Sequence, residues 1–183
     1  MKKDKLLGVV LLVCFIFALG GCAKREISNI NSRGKNIICF GDSITFGYGV
    51  NKGEDYPTAL SKILNLPVIN AGIDGDTSIQ ALIRLESDVL SKDPRLVIVE
   101  FCGNDFIKGV PKEQTFKNIK EVIERIQAKG IMVALVDISA GFFLVEYRGE
   151  FEKIAGQTHS IFIPQVLNGI VNNPSMKYLK IVL

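Results

Sequence analysis

The chain has 183 residues, of which 22 are Lys or Arg and 19 are Asp or Glu, giving a formal net charge of +3. Lys2, Lys3 and Lys5 against Asp4 supply most of that excess, so no basic stripe is left to hold nucleic acid. The length suits one domain able to bury its own core without disulfides or a structural metal.

The first segment reads as an export signal. A basic start leads into an apolar run from Leu6 to Leu19, interrupted only by Gly8. The run falls short of the ~20 residues a comfortable membrane-spanning helix needs, but it suits a secretory h-region. It closes on Leu19-Gly20-Gly21-Cys22, which resembles a bacterial lipobox, so residues 1–21 are expected to leave and Cys22 to carry lipid. The expected location is the bacterial cell envelope, with the protein anchored at a membrane surface. Of the 183 residues, removal of 21 leaves 162, and of the charged ones 19 basic and 18 acidic remain. The polar stretch to Lys35, with Asn31-Ser32-Arg33-Gly34, reads as a tether (22–35) ahead of a domain at 36–183.

Strand-like and helix-like segments then alternate. Ile37–Phe40 is an apolar strand that stops at Gly41, and Tyr56–Leu64 has a helical pattern through Leu60, Ile63 and Leu64. Pro67–Asn70 is a second strand. Ser78–Leu90 is a helix with Thr77 or Ser78 as its cap. Asp93-Pro94 breaks the chain before a buried strand at Leu96–Phe101. Gln114–Lys129 is an amphipathic helix ended by Gly130. A strand at Ile131–Val136, a helix at Gly149–Ala155 and a fifth strand at Ile161–Ile163 follow. Continuous apolar strands separated by helices predict a three-layer α/β/α, flavodoxin-like domain with a parallel sheet of about five strands.

Within the domain the only thiols are Cys39 and Cys102, both in apolar runs, and both are expected to be buried and free. No metal-ligand spacing is present, and no cofactor is expected. The first strand-to-helix loop has neither Gly-x-Gly-x-x-Gly nor a Gly-Lys-Ser/Thr ending, which argues against a nucleotide site.

Three polar, glycine-bearing loops follow the first three strands. They are Gly41-Asp42-Ser43, the stretch from Asn70-Ala71-Gly72 to Ser78, and Gly103-Asn104-Asp105. Carboxyl ends of parallel strands are where ligands bind in such sheets. In this order the loops resemble the first three blocks of the GDSL, or SGNH, hydrolase family. The resemblance implies Ser43 as nucleophile, attacking an acyl carbonyl to form an acyl-enzyme that water cleaves. It also implies an oxyanion hole built from the Ser43 N–H, the Gly72 N–H and the Asn104 side-chain amide. Asp42 and Asp105 are expected to order their loops. Small acyl esters, thioesters or lysophospholipids are the implied substrates.

The family draws its base from an Asp-x-x-His motif near the carboxyl end, usually followed by a final helix. The one histidine here is His159, with Gly156 three residues before it, ahead of the fifth strand. It is expected to be a surface or helix-end residue. After Asn173-Pro174-Ser175-Met176 the sequence runs Lys177 to Leu183 without the motif, so the domain reads as C-terminally incomplete, its final helix missing. The expectation is a lipid-anchored serine ester hydrolase. The alternative is an impaired or truncated relative that binds an acyl ester or glycan.

Overall fold

In the computed structural model, residues 26–141 and 144–170 are described. The signal-like segment, Cys22 and the tail from 171 onward lie outside them. Five strands form one sheet: β1 Asn36–Gly41, β2 Val68–Gly72, β3 Pro94–Glu100, β4 Met132–Val136 and β5 Ile161–Ile163. All neighbours pair in parallel, in the order β2-β1-β3-β4-β5. This is the doubly wound flavodoxin-like order, whose switch point lies between β1 and β3.

The helices are α1 Ser43–Phe46, α2 Tyr56–Leu64, α3 Ser78–Asp88, α4 Gly103–Ile107, α5 Lys112–Gln127 and α6 Val145–Gln157. Right-handed crossovers place α2 on one face and α3, α5 and α6 on the other. The long helices follow from sequence chemistry. Asp55 caps α2 through the Thr58 N–H, with Pro57 in the first turn. Thr77 and Gln80 form a capping box at α3. On α5, Ile119, Val122, Ile123 and Ile126 are buried at helical spacing.

These residues meet Val97, Val99, Val133 and Leu135 of the central strands in one core. Phe40 and Phe101 stack edge to face at 5.0 Å beneath the carboxyl ends of β1 and β3. Cys39 and Cys102 are buried and unpaired, as expected.

Two elements differ from the sequence reading in kind. The loops at Ser43 and Gly103 are the first turns of α1 and α4, helices of four and five residues. The described part of the tether is also not a free linker. Ser28 N–H donates to the His159 carbonyl at 2.9 Å, Asn29 Nδ2 reaches the Gln127 and Ile131 carbonyls, and Lys35 N–H donates to the Asp93 carbonyl. Residues 26–35 therefore run across the amino ends of β3, β4 and β5.

Candidate active site

The site is built at the switch point. Strand β1 ends at Gly41, where any side chain would collide: a Cβ there would stand 2.0 Å from Thr45 Oγ1 and 2.7 Å from Glu100 Oε2. Asp42 then caps α1, its Oδ1 accepting from the Ile44 N–H at 3.2 Å. Ser43 opens the helix, and its Oγ stands 3.5 Å from the same carboxylate oxygen. Asn104, on the first turn of α4, has its side chain close enough to Asp42 to help lower that carboxyl's pKa. A Cβ on neighbouring Gly103 would lie 3.6 Å from Asp42 Oδ2. Asp42 thus gathers Ser43 and Asn104 around one buried carboxylate.

Burial, with the charge of Asp105 adding to it, raises the Asp42 pKa to about 6 against the hydrogen bonds that lower it. Glu100 is wholly buried beneath α1 and pushed well above the usual carboxylate range, first by burial and then by Asp42. Its Oε2 accepts from Thr45 Oγ1 at 2.8 Å, while Oε1 has no partner among the described residues. Thr45 in turn meets the Tyr56 hydroxyl at 3.1 Å. This chain of bonds fixes α1, and with it Ser43, to the sheet.

The Gly72 N–H, expected to face an oxyanion, has a side-chain partner in this structure. That N–H donates to Asn70 Oδ1 at 2.9 Å. The glycine is needed for packing, since a Cβ would stand 2.1 Å from the Phe46 backbone nitrogen in α1. The same loop holds a second glycine, Gly75, with φ +79° and only Lys108 Nζ, at 3.9 Å, near a would-be Cβ. Lys108 Nζ donates to the Gly75 carbonyl at 2.6 Å, tying this loop to the end of the helix that carries Asn104.

Asp105 is structural in its contacts. Its Oδ2 accepts from the Ser78 N–H at 2.9 Å and its Oδ1 from Ser78 Oγ at 2.5 Å and Thr115 Oγ1 at 3.1 Å, locking α3, α4 and α5 together. Cys102 turns the chain into α4 at φ +143°, a strained backbone for a side chain with a Cβ.

A residue that the sequence reading passed over, Arg84 of α3, braces the rim. Its Nε donates to Asp76 Oδ2 at 2.6 Å, Nη1 to the Ala71 carbonyl at 2.8 Å and Nη2 to the Gly41 carbonyl at 3.0 Å. The guanidinium lies 4.4 Å from the Phe40 ring centroid. Around the mouth, Phe46, Tyr48, Ile73, Phe106 and Ile107 are all exposed.

His159 lies elsewhere. It follows α6 at φ +52°, exposed, with Nδ1 3.2 Å from the Glu26 carbonyl, at the amino end of β5. Ser43 stands at the carboxyl end of β1. In a parallel sheet these are opposite ends, so His159 is not brought to the site. Among the described residues no group of three potential ligands gathers to hold a metal.

Comparison with known proteins agrees with this fold. The model of the GDSL-like lipase/acylhydrolase family matches residues 39–164. Esterase TesA of Pseudomonas aeruginosa is 26% identical over 162 residues, spanning 83% of this chain and 81% of its own length. The lipoprotein YqeF of Bacillus subtilis is 31% identical over 141 residues, 69% of this chain but 55% of its own length. AlinE4, an SGNH-hydrolase family esterase of known structure, superposes with a TM-score of 0.72 at 30% identity, covering 79% of this chain and 82% of that one. With its serine at the switch point and its family match spanning all five strands, the chain belongs to the GDSL-like lipase/acylhydrolase family.

Proposed function

We propose that the protein is an exported, lipid-anchored serine ester hydrolase, with Ser43 as the nucleophile. The observation that carries this is Ser43 opening α1 over the buried Asp42 carboxyl at the carboxyl end of β1, with the Asn104 side chain acting on the same carboxyl from α4. Ser43 Oγ attacks the acyl carbonyl and its proton leaves to a base. The carbonyl oxygen becomes an oxyanion, the alcohol or thiol departs, and water releases the acid. The Ser43 N–H and the Asn104 side chain are the proposed oxyanion donors. Gly72 is the proposed third donor, its N–H exchanging Asn70 Oδ1 for the oxyanion. Each such donor is worth roughly 10²–10³ in rate. The exposed apolar rim suits an acyl chain. Export and lipid attachment at Cys22 rest on the lipobox resemblance, and the likeness to a lipoprotein is consistent with them.

A second reading is favoured by one observation: the only histidine stands at the far end of the sheet. Loss of the base from a serine triad costs about 10⁶ in kcat. Such a chain would bind an acyl ester or an acylated glycan without turning it over. Labelling with a fluorophosphonate, read by intact mass, separates the two. Adduct on Ser43, absent from Ser43→Ala, supports the hydrolase. An unlabelled, folded protein that still binds ester supports the binding reading.

A further inference from the structure

The amino-terminal segment emerges at the end of the sheet opposite Ser43. Glu26 and Ser28 are tied to His159, before β5, and Asn29 to the carbonyls of Gln127 and Ile131, before β4. Only three residues lie between Cys22 and Glu26, four residue steps with a reach of at most ~14 Å. Strand β1, six residues long, sets the Ser43 turn a further ~20 Å away along its axis.

The same amino-end face is basic. Arg33, Lys35, Lys92, Arg95 and Lys129 are exposed on it, and none forms an ion pair among the described residues. Arg33 and Lys129 line one cleft of about 300 Å³ with Glu86 and Asp93. Glu26 shares the face, and Asp88 and Glu124 on the last turns of α3 and α5 are paired with Arg84 and Lys120, so the remaining charges stay net basic. Lys24 and Arg25 add two more positive charges between Cys22 and Glu26.

We infer that this face seats on an anionic membrane surface beside the lipidated Cys22, so that the Ser43 mouth points away from the anchoring bilayer. The inference rests on lipid attachment at Cys22. The lipid on Cys22 holds the domain at the surface, and exposed Lys and Arg close to an anionic leaflet are attracted to it within a Debye length, which decides which face turns toward it. The orientation has a consequence for substrate class. Esters in solution or carried on an envelope polymer can meet Ser43, whereas those in the anchoring leaflet lie behind the domain.

The chain has no tryptophan, so one can be introduced as a probe. Full-length protein purified with its lipid is reconstituted into phosphatidylglycerol vesicles containing headgroup-level brominated lipid. Ala128→Trp reports the amino-end face and Tyr48→Trp the mouth. The expected result is several-fold stronger quenching at position 128, reduced by salt and by Arg33→Glu with Lys129→Glu. Equal quenching at both positions, or stronger quenching at 48, would overturn the orientation while leaving lipidation intact. An intact mass with no acyl group on Cys22 would remove the premise instead. Quenching at 128 that ignores salt and both charge reversals would leave no role for the basic face and would count against the inference.

Discussion

Arg84 Nη2 donates to the Gly41 carbonyl at 3.0 Å, from a helix 43 residues further along the chain. The same guanidinium holds Asp76 and the Ala71 carbonyl, so one side chain fixes the ends of β1 and β2 and the loop after β2. Arg84→Ala leaves Asp76 and two carbonyls without this partner. Breaking a buried pair in this way costs about 3–5 kcal/mol. Arg84→Lys keeps the charge but lacks the fork that reaches three acceptors. The expectation is a large fall in urea midpoint for both variants, with Lys the milder. In the folded fraction, Ser43 labelling slows by about 10², the scale of a small misplacement of reacting groups.

Gly72 tests packing against catalysis. A methyl group there meets the α1 backbone at Phe46 and Thr45. Overpacking of this kind typically costs about 1–3 kcal/mol. Gly72→Ala is expected to lower stability and shift Ser43. Asn70→Ala, which frees the Gly72 N–H, is expected to give no gain in rate. Parallel melts and ester assays check both; a faster Asn70→Ala enzyme would show that the Asn70 bond withholds the Gly72 N–H from the oxyanion.

The buried carboxyls predict how stability follows pH. Asp42 is raised to about 6 and Glu100 well above its ordinary range, both first by burial, so folding takes up protons. Their contribution is complete below the ordinary aspartate pKa of about 3.9 and is lost as pH climbs through 6 and beyond. Asp55 is lowered, its burial outweighed by hydrogen bonds from Thr58 and Asn70, so it does not titrate in this window. Urea midpoints should therefore fall between pH 5 and pH 8, and Glu100→Gln should flatten the fall. A midpoint that rises across that range contradicts the assignment.

The strands and long helices were legible because their apolar residues keep a period over several turns. Helices α1 and α4 were not, since four or five residues carry no period, and Gly103-Asn104-Asp105 has the composition of a loop. Arg84 was hidden for a different reason. A charged residue on an amphipathic helix reads as solvated, and only the fold reveals the carbonyls it faces. Residues 26–35 look like a linker because they are polar, yet those polar groups bond to carbonyls of distant loops. The order of the three loop motifs survived best. Sequence placed Ser43 and Asn104 at strand ends, but it could not show that the Gly72 N–H is held by the Asn70 side chain.

The central claim is that Ser43 is the nucleophile and that His159, at the far end of the sheet, takes no part. The most direct measurement is hydrolysis of p-nitrophenyl butyrate by the full-length protein beside Ser43→Ala and His159→Ala, each checked for folding. The account predicts that release of p-nitrophenol is lost in Ser43→Ala and unchanged in His159→Ala. Equal loss in the two variants, or activity that survives Ser43→Ala, would contradict it.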